Sequence, residues 1–292
     1  MRKCRAFCLL FLALTIGGQA QAQQQGRQQG ETAKRFFDAE YRIYAAGILF
    51  ARANVQLEFD ADNYRLSAHI APAALGRLAA NTHAIATTYG QLRGGGLQPE
   101  KLDLNWVRDG QVKTTKMRYR NGKPVSFKSA YQPTDEQMPL VPVKLSEVGS
   151  GTVDPFTAML LPLRQQPLVD GCNDDIEIFD GRRRATLQLT TPRIVPTPTH
   201  DYPARLTALA CTILWTPIAG YSKAALDRAA DFPPVETFYS RISDSQLAAP
   251  QEMRGRSRFG TISIYAVRFF TERAAPMPRF DIRQFLPKSA QN

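Results

Sequence analysis

Val55-Gln56-Leu57-Glu58-Phe59-Asp60-Ala61-Asp62-Asn63-Tyr64-Arg65-Leu66-Ser67-Ala68-His69-Ile70 decides the fold. Apolar residues occupy every second position in both arms, at 55, 57 and 59 and then at 64, 66, 68 and 70. Successive side chains of a strand point to opposite faces, so this spacing predicts two strands with one buried face each. Asp60-Ala61-Asp62-Asn63 between them is turn chemistry, which makes the pair an antiparallel hairpin.

The same grammar extends in both directions. Leu102, Leu104 and Trp106 lead into Asp109-Gly110, while Met117 and Tyr119 lead into Asn121-Gly122, after which Val125 and Phe127 resume the alternation. Ile176 and Ile178 run into Asp180-Gly181, followed by Ala185, Leu187 and Leu189. Asn-Gly and Asp-Gly suit tight hairpin turns because their central residues tolerate positive φ. Further strands are expected at Leu206–Trp215 and Phe259–Phe270. The expectation is a mostly β protein: a long antiparallel sheet curled into a barrel or β-spiral, with one or two short helices packed on or in it. Gly94-Gly95-Gly96 reads as a flexible loop. Thr190 to Pro203, with four prolines, reads as an extended excursion rather than a central strand.

Two segments break the β pattern. In Asp154-Pro155-Phe156-Thr157-Ala158-Met159-Leu160-Leu161 the aspartate is a good N-cap and the proline suits the first helical position, so a short helix ending before Pro162 is expected. Phe156, Met159, Leu160 and Leu161 could then cover or plug a concave face of the sheet. A second helix is expected over Ser222–Ala230, capped by Ser222.

The amino terminus carries Arg2, Lys3 and Arg5, an apolar run from Phe7 to Ile16, and Ala20-Gln21-Ala22. These are the parts of a cleaved secretory signal, and the apolar run is shorter than the ~20 residues that cross a bilayer. The expected organisation is a signal peptide over 1–22, a Gln-rich leader over 23–35, one β-rich domain over 36–286 and a tail over 287–292. The chain has 37 Lys plus Arg against 26 Asp plus Glu, a formal charge of +11, and loss of the three basic residues of the signal leaves +8. Outside the cytoplasm such a surface has anionic lipid, lipopolysaccharide phosphate and acidic glycans as natural partners. Only Cys172 and Cys211 outlast the cleavage, and an even pair in an oxidising compartment is read as one disulfide.

Catalytic chemistry finds little purchase in these residues. Gly220-Tyr221-Ser222-Lys223-Ala224 lacks the closing glycine of a nucleophile elbow. His69, His83 and His200 show no metal-binding spacing, and no phosphate-cradling glycine loop occurs. No catalytic residue, metal or cofactor is assigned. If a hydrolytic site existed, His69, His83, Asp154 and Asp180 would have to converge in space. The basic residues lack the aromatic interleaving of a nucleic-acid platform.

Tyr41-Arg42-Ile43-Tyr44 with Gly47, the Leu97-Gln98-Pro99 step, the Asp154-Pro155 segment, Cys172, Asp180-Gly181-Arg182-Arg183 and Cys211 together resemble the bacterial envelope family DUF3108, over roughly Ala39 to Arg273. The architecture is also similar to that of periplasmic β-spiral envelope-integrity proteins. The resemblance implies a Gram-negative periplasm and a role in envelope homeostasis, with no catalytic residues to carry over. Envelope lipid, lipopolysaccharide, peptidoglycan or an envelope protein are the expected partners, and an apolar cavity for lipid carriage under a helix lid is the alternative use of such a fold.

Overall fold

A computed structural model describes residues 34–73, 75–79, 82–108, 111–130, 134–163, 171–196, 207–230, 233–257 and 260–270. The expected signal peptide, residues 23–33 of the leader, the Asp109-Gly110 turn, His200 and the carboxyl-terminal tail lie outside the described residues.

Strands dominate the described chain. The first seven are β1 (Arg35–Ala45), β2 (Ile48–Phe59), β3 (Asn63–Pro72), β4 (Thr82–Arg93), β5 (Gly96–Arg108), β6 (Gln111–Arg120) and β7 (Lys123–Ser129). They form an antiparallel meander in which each strand pairs with the next. The second set is β9 (Asp175–Phe179), β10 (Arg184–Pro196), β11 (Thr207–Ala219), β12 (Val235–Arg241), β13 (Leu247–Ser257) and β14 (Gly260–Phe270), another meander. β1 and β14 pair antiparallel and fuse the two into one sheet with the order β7-β6-β5-β4-β3-β2-β1-β14-β13-β12-β11-β10-β9. The short β8 (Leu161–Pro162) lies off this path against β13. Among the described residues the α-helices are α1 (Gly76–Ala79) and α2 (Lys223–Ala230).

The turns follow their chemistry. Asn121 and Gly122 have φ of 52° and 68°, and Asp60 Oδ1 accepts from the backbone N–H groups of Asp62 and Asn63 at 2.8 Å. Gly94 and Gly95, expected as a flexible loop, instead form the two-residue turn between β4 and β5, both with positive φ. That is a conformation glycine reaches without steric cost. Gly220 is needed on two counts: its φ is +85° and a Cβ there would lie 2.0 Å from the Arg182 carbonyl oxygen. Gly220→Ala is therefore expected to destabilise the fold by about 2 kcal/mol or more, read as a lower urea midpoint; an unchanged midpoint would mean the β10 and β11 ends separate easily.

Two further expectations are corrected. Thr190 to Pro196 is not an excursion, because β10 stays paired with β11 through Pro196 after a register shift between Thr190 and Arg193. β9 pairs with Arg184 to Gln188, and among the described residues no strand pairs with that side of β10 beyond Leu189, which leaves room for proline there. The Asp154 segment forms no α-helix but one 3-10 turn over Thr157–Met159. Its ends explain this. Val153 is held by β9, its N–H donating to the Glu177 carbonyl and its carbonyl accepting from Phe179 N–H, both at 2.9 Å, while Leu161 and Pro162 already pair with β13. The chain between the two anchors is too short for a longer helix.

The sheet does not close, and β7 and β9 are its edges. Side chains meet across the seam: the rings of Phe127 and Phe179 pack edge to face at 5.7 Å, and Gly181 lies against Thr115 and Met117. The segment running from Val148 to Leu163 ties the seam together. Gly151 N–H donates to the Gly122 carbonyl at 2.8 Å, on the β6–β7 side, and Val153 then joins β9.

Candidate functional site

The face of the sheet that carries the alternating apolar residues is filled by this same Val148–Leu163 segment. Leu160 is buried with Phe37, Leu57, Phe59, Tyr64 and Leu66, whereas Leu161 and Leu163 are buried with Leu189, Leu209 and the two cysteines. Val148 belongs to a third cluster with Leu102, Met117 and Phe179, and half-buried Phe156 packs against both the first and the third. Met159 is half-buried. One stretch of chain thus contributes to three clusters built on different strands. Each fully buried leucine contributes roughly 2 kcal/mol.

Asp154 anchors the stretch from inside. Its carboxylate is fully buried and accepts four hydrogen bonds: from the N–H groups of Phe156 and Thr157 at 3.0 Å, from Thr157 Oγ1 at 2.6 Å and from Thr88 Oγ1 on β4 at 2.9 Å. Tyr64 OH on β3 lies 3.0 Å from Thr157 Oγ1. Complete burial pushes the Asp154 carboxyl above its ordinary range, and the donors from Thr157, Thr88 and Phe156 work in the opposite direction. Burial, and secondarily the Asp154 charge, pushes the Tyr64 and Tyr119 hydroxyls up. The cluster is polar, saturated and enclosed, which is the signature of an anchor rather than of a reactive group open to substrate.

The histidines stand elsewhere. His69 on β3 and His83 on β4 alternate with Ala68, Ile70, Ala84 and Ala86, and so occupy the face opposite Asp154. Burial lowers the pKa of His69, and burial, then His69, then Arg77 lower that of His83. Asp180 Oδ1 accepts from the N–H groups of Arg182 and Arg183 at 2.8 and 2.6 Å, a turn role. The four residues that a hydrolytic site would need do not converge. Among the described residues no cluster of three or more His, Cys, Asp or Glu side chains could hold a metal. Ser222 caps α2, its Oγ accepting from Ala225 N–H at 3.4 Å. Cys172 and Cys211 form the expected disulfide, both buried, joining the turn before β9 to β11.

The opposite face of β3 to β7 is basic. Register places Arg65, Tyr89, Lys101 and Arg118 side by side on consecutive strands, in the order β3, β4, β5, β6. The Arg65 guanidinium and the Lys101 ammonium both approach the Tyr89 ring at 5.5 Å from its centroid, one from each side. The next row carries Lys116 of β6 opposite Lys128 of β7, and Arg120 stands opposite Lys123. Two carboxylates of these strands share this face, Asp103, paired with Lys101, and Glu100, which accepts from Gln91 Nε2 at 2.6 Å, and Glu58 of β2 stands opposite Arg65 at its border. A cleft of ≈ 550 Å³ beside Tyr89 is lined by Glu100, Lys101, Arg118, Tyr119, Arg120 and Val125, and a second of ≈ 310 Å³ by Lys34, Glu58, Asp60 and Arg65 among others, with Tyr89 common to both.

Sequence reasoning located Asp154 and the cysteines but not Thr88, Tyr64 or the Tyr89 row. Thr88 lies 66 residues from Asp154, and nothing local marks it. The basic row was invisible because its members lie on consecutive strands, with a dozen or more residues of chain between neighbours, and meet only through register.

A family model described as "Protein of unknown function (DUF3108)" matches residues 40–204, a narrower span than the Ala39–Arg273 resemblance. The chain is similar to the beta-barrel-like protein of domain of unknown function DUF1849 from Brucella abortus, at 11% identity and a TM-score of 0.45, covering 83% of this chain and 98% of that one. It is also similar to a hypothetical protein of Chlamydia trachomatis, at 10% identity and a TM-score of 0.27, covering 83% and 92%. No curated protein matches it. No helix of the described residues is long and apolar enough to cross a membrane.

Proposed function

The chain belongs to the DUF3108 family, and we propose that it is a non-enzymatic periplasmic protein, exported by cleavage after Ala22, that supports cell-envelope integrity as a scaffold working through its surfaces. The observation that carries this reading is the occupation of the concave face. Leu160, Leu161 and Leu163 are buried in core clusters and Asp154 is saturated by four donors. Phe156, Met159, Leu160 and Leu161 are then a plug rather than a lid. The buried Cys172–Cys211 disulfide fits an oxidising compartment.

Native mass spectrometry of the mature protein, purified from the periplasm, tests the proposal directly. The expected mass is that of a chain beginning at Gln23 with one disulfide and no adduct. Stoichiometric acyl-chain adducts would overturn the scaffold reading in favour of lipid carriage, with the Asp154 segment as a movable lid. A mass that still includes Met1 to Ala22 would overturn the export step.

A further inference from the structure

We propose that the basic face of β3 to β7 is a docking surface for an anionic phospholipid bilayer, with the Arg65–Tyr89–Lys101–Arg118 row at its centre. The inference rests on the surface-acting reading above and names the surface and its partner. Strands lie about 4.8 Å apart, so the four-residue row runs roughly 14 Å, and Lys116 and Lys128 extend the charge one strand further. Arg65, Lys116, Arg118, Arg120, Lys123 and Lys128 are all exposed.

Charge complementarity selects the occupant. Among the described residues, Lys116, Arg118, Arg120, Lys123 and Lys128 have no acidic partner, whereas three arginines on other strands do: Arg268 with Glu40, Arg193 with Glu236 and Arg184 with Glu177. Unpaired like charges on adjacent strands repel, and this arrangement lowers its energy by meeting an extended array of anions. The clefts beside Tyr89 are open troughs along this face, so a single enclosed phosphate is a poorer match than many headgroups presented in a plane. Val125, 45% exposed, lines the same cleft as Arg118 and Arg120. An apolar side chain among basic ones suits the headgroup layer, where each can reach its own medium. Neighbouring positions in this array, about 4.8 Å apart across adjacent strands, lie within one Debye length at physiological salt, roughly 8 Å, and so reinforce one another.

The test is vesicle flotation of the mature full chain. Vesicles of neutral phosphatidylcholine are compared with vesicles containing phosphatidylglycerol, at low and high salt. Binding is expected only to the anionic vesicles and is expected to fall as salt rises. The triple variant Lys116→Ala/Arg118→Ala/Lys128→Ala should partition about 100-fold more weakly, at about fivefold per basic group near an anionic surface. A control that removes the same charge from exposed positions elsewhere, Lys144→Ala/Lys223→Ala/Arg228→Ala, should lose no more than a few-fold.

Equal loss in the control would overturn the site, since net charge alone would then suffice. Equal binding to neutral vesicles would overturn the electrostatic basis. Binding of a soluble acidic glycan or polyphosphate with no vesicle flotation would overturn the choice of partner. The wild-type salt dependence stands even if the triple variant folds poorly, and Arg118→Glu alone should still reduce flotation measurably. An absence of flotation with a clean apo mass would sink this inference and leave the scaffold reading intact, whereas acyl adducts would sink that reading whatever the vesicles show.

Discussion

Asp154→Ala is expected to lower the stability of the folded protein by about 4 kcal/mol and its melting temperature by about 10 °C. The substitution removes a fully buried carboxyl group that serves four donors, two of them backbone N–H groups of the turn that follows it. Each buried donor left without a partner costs about 1 to 3 kcal/mol. Part of this is offset, because the Thr88 and Thr157 hydroxyls lie 3.4 Å apart and can turn toward each other, and because a buried carboxylate no longer has to be desolvated. A melt unchanged within 2 °C would show that the Val148–Leu163 segment is held by its leucines alone.

Asp154→Asn separates charge from shape. The amide keeps an acceptor for the two N–H groups, and the threonine hydroxyls can accept from its NH₂, so the fold is expected to persist. The pH dependence should differ. Burial raises the folded-state pKa of Asp154 above its unfolded value, so its contribution is fully present below the unfolded pKa and is lost as pH rises through the folded pKa. Wild-type stability measured by urea unfolding, minus that of Asp154→Asn, should therefore decline from about pH 4 upward and then level off. A difference that grows with pH over the same window would mean that the four donors outweigh desolvation and that the carboxylate is held charged.

The second large effect belongs to the disulfide. Cys172 and Cys211 are 39 residues apart, and closing a loop of that size contributes about 4 kcal/mol through the unfolded chain. Cys172→Ala/Cys211→Ala is expected to lower the melting temperature by about 10 °C. Both residues are buried at 1% exposure or less, so dithiothreitol without denaturant should leave the bond intact, with the loss appearing only once urea opens the fold. Rapid reduction of the native protein, followed by mass spectrometry after alkylation, would contradict that burial.

These two predictions rest on features of unequal legibility. The cysteine pair could be read directly, since only two remain after the expected cleavage. Asp154 was legible as a cap because its partners at 156 and 157 are local. That the same carboxylate would bind Thr88 of β4 was not, because that contact depends on how far the sheet curls.

The amino-acid sequence by itself determined the strands that flank recognisable turns, and their faces. Period-two alternation in Val55–Phe59 and Tyr64–Ile70, and turn pairs such as Asn121-Gly122, are local properties fixed by side-chain direction and allowed φ. Tertiary structure alone decided three further things. It shortened the Asp154 helix to a single turn, because β9 and β13 capture the chain on either side. It kept Thr190–Pro196 in the sheet, because β11 holds that length of β10 after a register shift, while among the described residues no strand pairs with its other side. It aligned Arg65, Tyr89, Lys101 and Arg118 into one row, since neighbours across a sheet are chosen by register and not by distance along the chain.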